Sequence, residues 1–174
     1  QGTQTAVFTG LTASTTYNFS IWPFTNSGAN IDYKIDGVVP TANATTQETP
    51  SIKWDGGAST TAWSDAANWS GNVVPGSTDI VVLDNSLVSG SYSVVLPSGA
   101  TKTTILKLTI TPTLPNTITL TLPVENTYGA SNDAGLVVGD NTSSTDDIII
   151  NEGGVLINAS GGSQGNGIQV NTLS

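Results

Sequence analysis

The 174-residue sequence contains no cysteine, histidine, arginine or methionine. Without histidine and cysteine, the chain has no Ser-His catalytic triad, no thiol nucleophile and no zinc site of the usual kind. The lack of cysteine suits an extracellular bacterial protein that needs no disulfides, and it equally suits a reducing compartment. Carboxylates, hydroxyls, amides and lysines remain, and catalysis by carboxylates alone is not expected. We therefore predict that the chain has no catalytic residues and is not an enzyme.

Charge is also scarce, because only 10% of the residues are charged and the 13 acidic residues outweigh four lysines to give a net charge of −9. Neutralising phosphates requires a basic surface, so the sequence argues against a nucleic-acid partner. No run of about 18 apolar residues occurs, so we expect no membrane insertion. Cytosolic proteins are about one-quarter charged, whereas this surface must consist largely of Thr, Ser, Asn and Gly. Such a composition favours an extracellular or cell-surface location.

Short runs of Val, Ile, Thr, Leu and Tyr bounded by Gly, Pro, Asn and Asp recur along the chain, and no window has helical periodicity. We predict an all-β fold. The sequence begins with Gln1 and stops within a strand-like pattern, so we expect a mature or excerpted piece of a longer chain. Residues 49–52 contain Pro50 and are predicted to link two regions with different strand patterns.

The first region, residues 1–48, has strand-like runs at 5–11, 16–24 and 30–39. In the second run, Tyr17, Phe19 and Ile21 alternate with polar residues, which predicts one face buried against a second sheet. The segment LTASTTY, from Leu11 to Tyr17, resembles the tyrosine corner of fibronectin type III domains, in which a tyrosine hydroxyl ties a loop to the main chain. The resemblance implies the last three strands of such a β-sandwich, acting as a spacer or interaction module.

The second region opens with KWDGGASTTAWSDAANWSGNVVPGSTDIVVLD at residues 53–84, where Trp54, Trp63 and Trp69 are interleaved with acidic and amide residues. This order resembles the opening of β-solenoid regions in large secreted surface proteins of gliding and biofilm-forming Gram-negative bacteria. The resemblance implies a tryptophan-rich cap followed by a solenoid, in a surface adhesin that is exported by the type IX secretion system.

Strand-sized pieces then follow every seven to thirteen residues, beginning at YSVVL (92–96) and ending at GIQVN (167–171). The pieces LVVG and VLIN, and likewise IIIN and IQVN, are separated by about twenty residues, with Gly or Asn at the corners. A period of about twenty predicts coils of two or three short strands. We therefore predict the first coils of a right-handed parallel β-helix over residues 85–174.

Two groups of side chains are candidate sites. Trp54, Trp63 and Trp69 either form an apolar lid on the first coil or stack on sugar rings, and the lid is favoured because a solenoid end must be covered. Asp140, Asp146 and Asp147 lie in one acidic stretch, whose oxygens suit Ca²⁺. No EF-hand or calcium-repeat spacing is present, so an ordinary turn is favoured, and no cofactor other than Ca²⁺ is expected.

These observations favour a structural or adhesive segment of a large extracellular bacterial surface protein, acting as a stiff spacer or stalk. Its partners would be other segments of the parent chain, polysaccharide or neighbouring copies. One alternative is the non-catalytic or carbohydrate-binding front part of a polysaccharide-degrading β-helix enzyme. A second alternative is an extracellular filament subunit that is assembled by strand complementation.

Overall fold

The computed structural model describes residues 5–12, 15–26, 28–30, 32–33, 36–47, 50–128, 134–139, 147–160 and 167–171. These residues are all-β, with two short 3-10 helices and no α-helix among them. The chain divides into an N-terminal unit, Gln1–Thr49, and a C-terminal unit, Pro50–Ser174. The linker predicted at 49–52 is wrong in part, because Ser51–Lys53 forms a strand that is paired within the C-terminal unit.

The N-terminal unit contains two small antiparallel sheets. Strand β1 (Thr16–Ser20) pairs with β4 (Thr41–Thr45), and β2 (Phe24–Thr25) pairs with β3 (Asp32–Tyr33). The β2–β3 connection includes the 3-10 helix Gly28–Asn30. The strand that we predicted at 5–11 is not formed, and β4 was missed. Its sequence, TANAT, is exposed at every position, so it has no apolar alternation to reveal it.

The described residues of the C-terminal unit form three short parallel sheets. The strands are β5 (Ser51–Lys53), β6 (Ile80–Asp84), β7 (Tyr92–Val95), β8 (Thr103–Ile105), β9 (Lys107–Thr111), β10 (Ile118–Leu122), β11 (Leu136–Val138), β12 (Ile148–Ile150), β13 (Gly154–Asn158) and β14 (Ile168–Val170). Sheet I has the order β12-β9-β6-β5, sheet II has the order β13-β10-β7, and sheet III has the order β14-β11-β8.

From β6 onward, the chain visits sheets I, II and III in the same order three times. Consecutive strands therefore lie in different sheets, and each strand pairs with its counterpart in the next pass. The period of about twenty residues is wrong, since it relates β11 to β13 and β12 to β14, which lie in different sheets. The actual counterparts, such as Leu136 and Ile168, are separated by a complete pass through all three sheets.

Two predicted boundaries also change. The sequence TILKLTI at 104–110 resembles one strand-sized piece, but it forms two strands in different sheets, β8 and β9, because the chain turns a corner at Leu106. Strand β6 pairs with β9 in sheet I, so the stacked strands begin before residue 85. The tryptophan-rich segment between β5 and β6, residues 54–79, is called the cap below.

One hydrophobic core lies between the three sheets. Its side chains come from alternating positions, as the burial of Leu108 and Ile110 in β9 and of Leu120 and Leu122 in β10 demonstrates. Each fully buried aliphatic side chain contributes about 1.5–3 kcal/mol to folding. The core residues are Val81, Leu83, Val94, Leu96, Ile105, Leu108, Ile110, Ile118, Leu120, Leu122, Leu136 and Val138, together with the three tryptophans of the cap.

Candidate functional sites

The three tryptophans of the cap pack together against the beginning of the stacked sheets. The ring of Trp69 lies edge-on to Trp54 at 5.0 Å and to Trp63 at 4.6 Å between centroids. Trp54 also stacks on Tyr92, with ring centroids 6.4 Å apart. The indole N–H of Trp69 donates a hydrogen bond of 2.7 Å to the carbonyl oxygen of Trp63, so the polar atom of this buried ring is satisfied.

Burial decides between the two interpretations of these tryptophans. Trp54, Trp63 and Trp69 are 2%, 1% and 0% exposed. A sugar ring stacks on an exposed aromatic face, and none of these side chains presents one. The sugar-stacking alternative for the three residues is therefore wrong for this conformation, and their positions agree with the lid interpretation.

The cap covers two strand edges as well as the core. At the edge of sheet I, Ser70 of the cap bonds to β5, because its N–H donates to the carbonyl of Lys53 and its hydroxyl accepts from the N–H of Lys53. At the edge of sheet II, the N–H of Val95 donates to the carbonyl of Thr61, and the N–H of Trp63 donates to the carbonyl of Val95. Uncovered edges present unpaired main-chain groups that attract other strands. The cap supplies partners for these groups in two of the three sheets.

Asp55, Asp65 and Asn68 hold the cap in shape through turn and capping hydrogen bonds. Asp55 accepts from the N–H of Gly57, and Asp65 caps the short 3-10 helix Ala66–Asn68. Asn68 is fully buried, accepts from the N–H of Ala58, and donates to Thr60 Oγ1 and to the carbonyl of Ala62. These bonds fix the loop that carries the tryptophans.

A polar cluster at the ends of β5 and β6 was missed by the sequence analysis. Lys53 Nζ lies 2.7 Å from Asp84 Oδ2 and donates to Ser86 Oγ, and the Tyr92 hydroxyl donates to the main-chain carbonyl of Asp84. Burial alone raises the pKa of Asp84, but hydrogen bonds from Lys53 and Ser86 outweigh burial and leave that pKa below its usual value. Burial, followed by the charge of Asp84, raises the pKa of Tyr92.

The chemistry of this cluster is structural. Its charged atoms bind one another, and Tyr92 also packs against the Trp54 ring. The cluster therefore joins β5, β6 and β7, and the contact between Tyr92 and Trp54 links it to the cap. The signal for it in the sequence is weak, because a single Lys at the end of a strand has no identifiable partner until the strand register is known.

The predicted calcium ligands are only partly placed. Asp140 and Asp146 lie outside the described residues. Asp147 is 4% exposed, and its Oδ2 atom has no hydrogen-bond partner among the residues that the structure describes. Within the described ranges, no group of three or more acidic residues is arranged to hold a metal ion. An unpartnered buried carboxylate oxygen is nevertheless unusual, since buried polar atoms are normally hydrogen-bonded.

Two shallow clefts of about 370 and 410 Å³ lie beside the cap and share Ser64 and Pro97 as lining residues. Among the described lining residues, Lys102 is the charged side chain of the first cleft and Glu125 that of the second. Glycosidases require two carboxyl groups across the scissile bond. The described linings of these clefts do not provide that pair.

In the N-terminal unit, the contact that is expected of a tyrosine corner is present. The N–H of Thr12 donates a hydrogen bond of 2.9 Å to the hydroxyl oxygen of Tyr17. Thr46 Oγ1 completes the attachment, because it accepts from the N–H of Thr15 and donates to the carbonyl of Thr12. The chain before β1 is thus fastened both to β1 and to the end of β4.

The face of β1 that we predicted to be buried against a second sheet is buried only in part. Tyr17 and Phe19 are half-buried and alternate with exposed residues, whereas Ile21, just after the strand, is 70% exposed. Phe19 contacts Phe8, with ring centroids 5.1 Å apart, and Phe8 is itself exposed. The predicted alternation is therefore present, but the face is not fully buried, and each strand among the described residues of this unit belongs to a two-stranded sheet.

Comparisons with protein-family models, with curated proteins and with solved structures give no match. The resemblances to fibronectin type III domains and to bacterial surface β-solenoids therefore remain predictions from the sequence. No described helix is long and apolar enough to cross a membrane.

Proposed function

We propose that the chain is a structural or adhesive segment of a large extracellular bacterial surface protein. Residues 50–174 would be the capped start of a parallel β-helix that acts as a stiff spacer. Residues 1–49 would be the end of a fibronectin type III-like module. Export by the type IX secretion system belongs to this proposal through the sequence resemblance alone.

The observation that carries the proposal is the repeated passage of the chain through three parallel sheets around one core. In this arrangement, each pass is hydrogen-bonded along its length to the pass before it. A structure of this kind grows by adding passes without enlarging its cross-section, which suits a stalk. The buried cap supports the same proposal, because it covers the end where the stack begins.

The proposal is tested by offering the full chain a panel of soluble polysaccharides and by treating it with a broad-specificity protease. A structural or adhesive segment does not cleave the polysaccharides, and residues 50–174 survive as one resistant fragment because the described strands are paired from pass to pass. Cleavage of any polysaccharide, or rapid digestion throughout the C-terminal unit, contradicts the proposal.

The carbohydrate-binding alternative now depends on the two clefts beside the cap rather than on the tryptophans. The variant Ser64→Trp places a large side chain where both clefts meet. If a polysaccharide binds there, this variant loses binding while its melting temperature is unchanged. Leu87→Trp, at an exposed position that lines neither cleft, is the matched control.

The exposed sheet of the N-terminal unit favours assembly with a second copy as another candidate function. Strands β1 and β4 each have one neighbour and contain neither a charged residue nor proline, which are the usual protections of an edge strand. Two copies of this chain therefore meet at such an edge without like-charge repulsion, despite the net charge of −9.

Sedimentation velocity of the full chain between about 5 and 500 μM tests this second candidate, in the concentration range where weak interfaces associate. Strand complementation between copies gives concentration-dependent oligomers that Ile21→Lys disrupts and that the control Val155→Lys, in the C-terminal unit, retains. A monomer at every concentration rules out assembly between copies.

A further inference from the structure

Among the described residues, the cap makes no main-chain hydrogen bond to the first strand of sheet III. This strand, β8, pairs with β11 and with no other described strand. The corresponding edges of sheets I and II are bonded to cap residues, which are Ser70 in sheet I and Thr61 and Trp63 in sheet II. At the end where the stack begins, the main chain of β8 is therefore the open position for a further strand.

The open main-chain groups of this edge belong to Thr104. The N–H of Thr103 donates to the carbonyl of Gly135, on the β11 side. The carbonyl of Ile105 accepts from the N–H of Gly139, on the same side. Since successive residues of a paired strand direct their main-chain groups to opposite sides, the N–H and C=O of Thr104 face away from β11. No residue that the structure describes bonds to them.

The cleft of about 370 Å³ beside the cap leaves room along this edge. Its described lining includes Thr104 together with Val74 and Pro75 of the cap. Beyond Thr104 the edge is closed, because the N–H of Leu106 donates to the carbonyl of Asp79. A strand that pairs here is therefore short, with about three residues spanning about 10 Å. The small and apolar lining favours a strand with small, uncharged side chains.

The N-terminal unit carries an open edge of that kind on β4. The N–H of Thr46 donates to the carbonyl of Thr15, so these two residues form a hydrogen-bonded pair. Bonded and non-bonded pairs alternate in an antiparallel ladder, so Asn43, which is opposite Asn18, directs its N–H and C=O to the open side. The sequence of β4, TANAT, is small, uncharged and exposed at every position.

We propose that β4 of one copy pairs with the open edge of β8 in a second copy, so that the outward main-chain groups around Asn43 bond to those of Thr104. This inference rests on the assembly between copies described above, and it names the acceptor. The two edges are different surfaces, so the contact is heterologous and copies join head to tail. Each hydrogen bond contributes only about 0.5–1.5 kcal/mol, so the association is weak.

Sedimentation velocity of full-length variants between about 5 and 500 μM tests this pairing. Thr104→Pro removes the outward N–H of β8 without removing a bond to β11, and proline is tolerated at such edge positions. Asn43→Pro does the same to β4. Each variant alone stays monomeric, whereas a mixture of the two forms a dimer that grows no further, because each variant retains one of the two edges. The matched control Thr104→Val keeps the main-chain groups and retains the oligomers of the wild-type chain.

A synthetic peptide of residues 40–46 provides a second readout that requires no variant to fold. In excess, this peptide dissociates the wild-type oligomers, and the same peptide methylated on the main-chain nitrogen of Asn43 does not. A wild-type chain that is monomeric at every concentration overturns both this pairing and assembly between copies. Oligomers that persist in Thr104→Pro, or that the unmethylated peptide leaves intact, overturn this pairing alone.

Discussion

The two units of this chain are built from similar strand sequences but differ in what their apolar faces meet. In the C-terminal unit, three sheets face one another, and residues such as Leu108 and Leu120 are completely buried. In the N-terminal unit, Ile21 and Val38 are 70% and 97% exposed. The difference teaches that alternation alone does not create a core, because an apolar strand face is stabilised only when a second layer covers it.

Local order is nevertheless present in both units. Tyr17 fastens the N-terminal loop through Thr12, just as Asn68 fastens the cap through Ala58 and Ala62. These hydrogen bonds fix the direction of the chain at a turn, and they need only a few nearby residues rather than a buried core. The two units thus differ in side-chain burial far more than in local hydrogen bonding. Substituting the same type of residue in each unit separates the contributions of these two features to stability.

The largest expected difference in the free energy of unfolding is between substitutions of two tryptophans, one in each unit. Trp63→Ala removes a buried ring from the core and lowers the free energy of unfolding by about 3–5 kcal/mol. Trp22→Ala, at a 45% exposed position of the N-terminal unit, lowers it by less than about 1 kcal/mol. Guanidinium titration of each full-length variant, followed by near-ultraviolet circular dichroism, measures both values. Equal losses contradict the contrast between the two units.

A smaller difference in the free energy of unfolding is expected between substitutions of two asparagines, one in each unit. Asn126 is fully buried, donates to the carbonyls of Pro97 and Thr101, and accepts from the N–H of Tyr128. Asn126→Ala leaves these main-chain groups without partners, so we expect a loss of about 2–3 kcal/mol. Asn18→Ala, on the exposed face of β1, changes stability by about 0.5 kcal/mol or less. Chemical denaturation compares the pair, and a large effect of Asn18→Ala would refute the assignment of an exposed role.

Substituting two glycines, one in each unit, separates the cost of backbone strain from the cost of close packing. Gly153 and Gly37 have φ values of +83° and +89°, but a Cβ atom on Gly153 would lie 2.7 Å from the carbonyl oxygen of Asn116, whereas Gly37 has open space. We expect Gly153→Ala to cost about 2–3 kcal/mol and Gly37→Ala about 1 kcal/mol. Thermal unfolding measures both losses of stability. If backbone strain alone determined them, the two substitutions would cost the same.

Much of the C-terminal fold was predictable, because its strands are bounded by Gly and Asn and are apolar at alternating positions. The strand Gly154–Asn158 agrees with the predicted piece GVLIN. The number of strands in each pass was not predictable from spacing. Connections such as that between Leu122 and Leu136 differ in length from pass to pass, so counterparts in one sheet do not recur at a fixed interval.

The candidate sites also differ in how far the sequence predicts them. The cap tryptophans and the capping roles of Asp55 and Asp65 follow from side-chain chemistry within one loop. The position of Asp147 Oδ2 beside Gly139 depends on the stacking of one pass on the next. No local pattern reveals a contact of that kind, because it is created by the strand register of the assembled sheets.

The smallest expected effect concerns pH and the ion pair at the ends of β5 and β6. Hydrogen bonds from Lys53 and Ser86 outweigh burial and hold the pKa of Asp84 below its unfolded value. Between these two pKa values, the unfolded chain binds more protons than the folded chain. The stabilisation is therefore complete above the unfolded pKa of about 4 and is lost as the pH falls through the folded pKa.

Because exposed ion pairs contribute at most about 1 kcal/mol, we expect Asp84→Asn to remove less than that at pH 7 and to flatten the acid dependence of unfolding. Asp32→Asn, in the exposed strand β3 of the N-terminal unit, is the matched substitution. Urea titrations of both variants between pH 2 and pH 7 would count against the role of the ion pair if Asp32→Asn flattened the profile as much as Asp84→Asn.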